Sequence, residues 1–167
     1  WVLRDWFFST SVAGISARGT AHFDVGLMVD HLTAMMLVGV ATVSFVVHLF
    51  STAYMHGDRR YTRFFCILQI FTFAMLALVL SDNLLTLYIC WEIMGFSSYS
   101  LIGHYYEKRS AKAACMKAFM TTRVGDVLMF VGLMIIWAQT GTMRFEDINA
   151  AVATGAFHHD WRFWAGV

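Results

Sequence analysis

Four apolar runs dominate the chain, at about residues 32–50, 64–80, 84–102 and 118–137, with short polar breaks between them. Each has roughly the 17–25 residues an α-helix needs to cross a ~30 Å hydrocarbon core. Period-two alternation is absent, which disfavours a membrane β-barrel. The pattern predicts an all-α membrane protein with four transmembrane helices in a region spanning residues 26–137. Only Ser81, Asp82 and Asn83 separate the second and third runs, so those helices form a tight hairpin. Asp30 stands where it would cap the first helix.

Charge orients this bundle. Four spans put the first and third loops, 51–63 and 103–117, on one side. Those loops carry Arg59, Arg60, Arg63, Lys108, Arg109, Lys112 and Lys117, seven of the twelve Lys and Arg. The other side, residues 1–25, the hairpin and the tail 138–167, holds Arg4, Arg18, Arg144 and Arg162. The bias towards Lys and Arg predicts that the two basic loops face the cytoplasm or its organellar equivalent. Residues 1–25 are then an outer-side segment leading into the first span. The tail, with Trp161 and Trp164 beside Arg162, His158 and His159, suits the outer membrane interface.

Composition agrees. Of 167 residues, 59% are hydrophobic and 14% charged, against roughly 25% charged in soluble domains. The net charge of +1 gives no electrostatic case for nucleic acid. Cys66, Cys90 and Cys115 are far apart and form no CxxC, so they read as packing thiols, neither a disulfide framework nor a metal site. The chain opens on Trp1, with no charged segment followed by a cleavage site, and reads as an internal piece of a longer protein.

Candidate chemistry lies inside the spans. Glu92 stands eight residues from Leu84, roughly 12 Å into the bilayer at about 1.5 Å per residue. A charge at the centre of a membrane helix costs about 2.5–3.5 kcal/mol on insertion scales, so intramembrane carboxylates are functional candidates. Glu92 reads as a proton site, with Tyr88, Gly95 and Tyr99 on its helix face. Arg123 and Asp126, three residues apart on the fourth span, share a helix face and form either a self-neutralising intrahelical ion pair or a functional charged pair. Counted from the other membrane face, Asp126 is also roughly 12 Å deep, so the depths allow a shared polar layer, while contact between the two helices is not readable from sequence. Lys117 either snorkels to the interface or supplies a cation to Glu92 or Asp126. His48 is a candidate proton relay. Phosphate loops, dinucleotide turns and haem or iron–sulfur ligand sets are absent, so no redox chemistry is expected in this chain.

The stretches VDHLTAMML, FSTAYMHGDRRYTRFF, SDNLLTLYICWEIMGFSSYSLIGHYY and KAFMTTRVGDV resemble the large antiporter-like subunit of respiratory complex I, known as NADH-quinone oxidoreductase subunit L or mitochondrial NADH dehydrogenase subunit 5. The resemblance covers about residues 24–147. It implies a bundle of about fourteen helices, of which these would be roughly the third to sixth, with the tail leading to a further span. Glu92 matches the family's essential membrane glutamate, and Arg123 and Asp126 its charged pair. NADH, FMN, iron–sulfur clusters and quinone are expected in other subunits, with no cofactor or metal here. The implied partners are other membrane subunits, especially another antiporter-like one, and the lipid bilayer. The implied membrane is a bacterial plasma membrane, with the mitochondrial inner membrane as the other reading. Proline is missing at His31 and near Tyr61, where the family often has it. The family's basic residues on later helices would lie beyond Val167. The expected function is proton translocation coupled to quinone reduction. The alternatives are the large subunit of a cation/proton antiporter or membrane-bound hydrogenase, or a non-pumping membrane scaffold.

Overall fold

The computed structural model describes residues 2–3, 14–16, 19–21 and 26–153. Four long helices, α1 (His31–Tyr54), α2 (Tyr61–Leu80), α3 (Leu84–Ile102) and α4 (Arg109–Thr140), precede a short α5 (Phe145–Ala153). All four long helices have the length and hydropathy to cross a membrane. They pack in series, α2 against α1 and α3, and α3 against α4. Many of their large apolar side chains are exposed, on α1 above all. That suits a lipid solvent, which leaves apolar surface without penalty.

Local chemistry sets the helix ends. Asp30 caps α1 by accepting the Thr33 N–H at 2.6 Å. That bond holds its carboxyl below the ordinary range. Asn83 caps α3 in the same way, accepting from Thr86 N–H at 2.7 Å. Gly141 closes α4 in the left-handed conformation, φ 72°, and donates to the Trp137 carbonyl. Glycine is suited to that position because it carries no Cβ.

The long third loop is corrected. Residues 109–117 are helical, and the true connection is 103–108. The stretch is polar, but it is rich in Ala and Lys and free of Pro and Gly, so it favours helix once outside the hydrocarbon. At 32 residues, α4 is roughly 48 Å long, well beyond the ~30 Å core.

The two ends of the bundle are tied differently. At the hairpin end, Ser81, Asp82 and Asn83 are all buried. Asp82 Oδ1 accepts the Gly26 N–H at 3.0 Å, and the Asp82 carbonyl accepts from Phe145 N–H. Leu84 N–H donates to the Met143 carbonyl, and bridges join Leu27 to Ser81 and Asn83 to Arg144. Two antiparallel pairings, β1 (Val2–Leu3) with β4 (Leu27–Met28) and β2 (Gly14–Ser16) with β3 (Gly19–Ala21), complete the described backbone. Trp161, Trp164, Arg162, His158 and His159 lie outside the described residues, as do Arg4 and Arg18.

The basic-loop end is held by side chains. Arg60 pairs with Glu107 at 2.9 Å and covers the Tyr106 ring at 4.7 Å. Buried His104 lies 3.7 Å from Asp58. These contacts put the α1–α2 and α3–α4 connections at one end, as a four-span count requires.

Candidate functional site: a charge cluster between α3 and α4

Successive residues of α3 reach two different residues of α4. Glu92 contacts the Arg123 guanidinium directly. Trp91 donates its indole N–H to Asp126 Oδ1 at 2.8 Å. Arg123 and Asp126 are one turn apart, and Arg123 remains 3.6 Å from Asp126 Oδ2. The arginine therefore lies between two carboxylates, closer to the one on the neighbouring helix.

The surroundings fix this geometry. Tyr88, one turn before Glu92, donates its hydroxyl to Glu92 Oε1 at 2.9 Å. Its ring packs beside Phe130 at 5.4 Å. Arg123 stacks over Phe119 at 4.8 Å, and Phe119 in turn touches Tyr99. Gly95 faces the guanidinium, and a Cβ there would stand 3.4 Å from Arg123 Nη2. Asp126 is buried, at 7% exposure. Glu92 and Arg123 are half-buried. An open cleft of about 650 Å³ between α3 and α4 is lined by Trp91, Gly95, Tyr99, Phe119 and Asp126.

Two acids sharing one arginine can hold or release a proton as the cation shifts, because a nearby cation favours the ionised carboxylate. In a low-dielectric medium such a shift carries more energy than in water.

The depths of Glu92 and Asp126 allow a shared polar layer, and in the structure Arg123 joins the two carboxylates. Tyr88 and Gly95, placed on the face of Glu92 by spacing, both join it. Lys117 does not supply the cation, because it is exposed and makes no ion pair among the described residues. Arg123, about two turns deeper on α4, takes that place. His48 stays apart. Its Nδ1 lies 2.8 Å from the Ser44 carbonyl, and Ser44 Oγ meets Thr72 Oγ1 at 2.9 Å between α1 and α2. Trp91 was missed by the sequence reading. The available signal was its indole N–H, a donor that needs a partner in hydrocarbon.

Known proteins share this framework. Residues 81–165 match the family described as NADH:quinone oxidoreductase/Mrp antiporter, TM. Residues 15–65 match NADH-Ubiquinone oxidoreductase (complex I), chain 5 N-terminus. The chain belongs to the antiporter-like membrane subunit family of complex I chain 5. It is 41% identical over 134 residues to the NAD(P)H-quinone oxidoreductase chain 5 of Synechocystis sp., covering 80% of this chain and 20% of that protein. It is 45% identical over 144 residues to the chloroplastic subunit 5 of Physcomitrium patens, covering 86% of this chain and 19% of that one. The chain thus spans about a fifth of the length of these relatives. A chain in the archaeal membrane-bound sulfane sulfur reductase has the same fold, with a TM-score of 0.75 over 86% of this chain and 28% of that one, at 20% identity.

Proposed function

We propose that this chain is part of a proton-translocating subunit of an NAD(P)H-quinone oxidoreductase, with Glu92 as the proton site. The observation that carries the reading is one arginine held between two carboxylates inside the membrane-spanning helices. Quinone reduction elsewhere in the complex shifts charge along the membrane. Arg123 moves between Glu92 and Asp126, and Glu92 takes up or releases a proton accordingly. NADH, FMN, iron–sulfur clusters and quinone belong to other subunits, and the partners are further membrane subunits, including another antiporter-like one. The two basic loops face the cytoplasm or its organellar counterpart, from which protons are drawn.

The test is Glu92→Gln in the intact complex. The expected result is normal assembly and NAD(P)H oxidation with a large fall in protons moved per electron pair. Unchanged pumping would sink this role for Glu92 and leave the scaffold reading. The matched family description also includes antiporters, which favours a second reading, the large subunit of a cation/proton antiporter or of a related hydrogenase. Sodium-dependent transport without NAD(P)H oxidation identifies the antiporter.

A further inference from the structure

We propose that Trp91 is a positioning residue of the charge cluster, whose indole N–H occupies Asp126 and thereby leaves Arg123 to Glu92. The proposal rests on the proton-site reading of Glu92 but has its own test.

Competition is built into α4. Asp126 and Arg123 are three residues apart, a spacing that pairs opposite charges on one helix without any other partner. Left to itself, that pair would close and neutralise. In the structure it is the longer of the two ion pairs of Arg123, 3.6 Å to Asp126 Oδ2, while Arg123 contacts Glu92 directly across the helix interface. Trp91 takes the other oxygen of the same carboxylate and offsets part of its charge. Its bond to Asp126 Oδ1 is 2.8 Å long and is charge-assisted, the stronger kind of hydrogen bond. Asp126 is nearly covered, so water cannot easily replace that donor.

The neighbours reinforce this division. Phe119 holds Arg123 from one side and Tyr88 holds Glu92 from the other. Arg123 Nε is buried without a hydrogen-bond partner among the described residues, so the guanidinium keeps one donor in reserve. Trp91 also lines the α3–α4 cleft and the cavity of about 520 Å³ between α1, α2 and α3. Each carboxylate thus has one neutral donor and a claim on the same cation. The resting state depends on which neutral donor is present.

The experiment is a structure of the intact complex carrying Trp91→Phe, with protons moved per electron pair measured on the same preparation. Phe keeps the ring and removes the N–H. Losing a charged-acceptor bond should shift Arg123 from Glu92 towards Asp126 by about tenfold or more in occupancy, with a matching fall in pumping. Trp91→Phe combined with Asp126→Asn should return Arg123 to Glu92, because the amide has no charge with which to compete. A general packing defect would not be repaired in this way. Trp91→Gln keeps a donor of similar reach, and Arg123 should stay on Glu92. It also decides the matter if the Phe variant does not assemble. Arg123 remaining on Glu92 in Trp91→Phe, or moving to Asp126 in Trp91→Gln, overturns the proposal. If Arg123 moves as stated but neither Trp91→Phe nor Glu92→Gln changes pumping, Trp91 still positions the cluster and the proton-site reading fails.

Discussion

The chain holds two clusters of charged and aromatic residues built from similar parts in different solvents. One lies inside the membrane-spanning helices, where Glu92, Arg123 and Asp126 join α3 to α4 with Tyr88 and Trp91 beside them. The other lies at the basic-loop end, where Arg60 meets Glu107 and Tyr106, and Asp58 meets His104. Glu107 is 71% exposed, so water competes for its pair and the contact is worth little. The inner cluster is more covered, with Asp126 7% exposed and the whole group set within membrane-spanning helices. Removing one partner there strands a charge in a medium that cannot solvate it. The same chemistry is a light fastening at the loops and a stored imbalance within the helices.

Breaking the inner cluster should have the largest effect. Arg123→Met leaves two acids without their cation, and the loss is expected to be about 3–5 kcal/mol. The amount of assembled subunit in the membrane should fall sharply. Adding Glu92→Gln should recover part of it.

The next largest effect is expected at the hairpin end. A Cβ at Gly26 would stand 2.7 Å from the Asp82 carboxyl carbon, in a buried turn. Gly26→Ala should therefore displace Asp82 at a cost of about 1–3 kcal/mol. A lower melting temperature of the complex would register it, along with earlier proteolysis near residue 26.

Arg60→Gln should cost under about 1 kcal/mol, because its partner is exposed, and the difference should shrink further in high salt. A loss as large as that of Arg123→Met would erase the contrast between the clusters.

The smallest effect concerns acid. The Arg60 N–H, at 2.7 Å, holds the Asp58 carboxyl below its ordinary value, with Tyr105 and His104 adding to the shift. A lowered folded value means that Asp58 contributes stability above its ordinary 3.8. That contribution is lost as pH falls through the lower, folded value. Asp58→Asn should make the loop end insensitive to pH in that acid window, as followed by hydrogen exchange of residues 55–61.

Much of this was legible from sequence because the membrane simplifies the problem. Backbone groups must be satisfied within helices, so an apolar run of the right length leaves few alternatives. Asp30 and Asn83 declare helix starts through side-chain chemistry, and Ser81–Asn83 can only be a hairpin. Glu92, Arg123 and Asp126 are visible as charges where charge is expensive. Partner choice was not legible. Spacing pairs Arg123 with Asp126, and the structure keeps that pair but adds the closer contact with Glu92, because the rotation of α3 against α4 decides which side chains meet across the interface. Trp91 escaped notice because a tryptophan in an apolar run looks like packing until an acceptor is seen beside it. The extension of α4 to Arg109 was hidden by its charge, which marks the end of the hydrocarbon and not the end of the helix.

The backbone ties at the hairpin end also have a mechanical consequence. Where α3 begins, it is knitted main chain to main chain to the segment just after α4. At the opposite end the same two helices meet through a six-residue connection and side-chain contacts. The pair is therefore fastened at both ends, by hydrogen-bonded backbone at one and by a short covalent connection at the other, and the Glu92–Arg123 contact lies between the two fastenings.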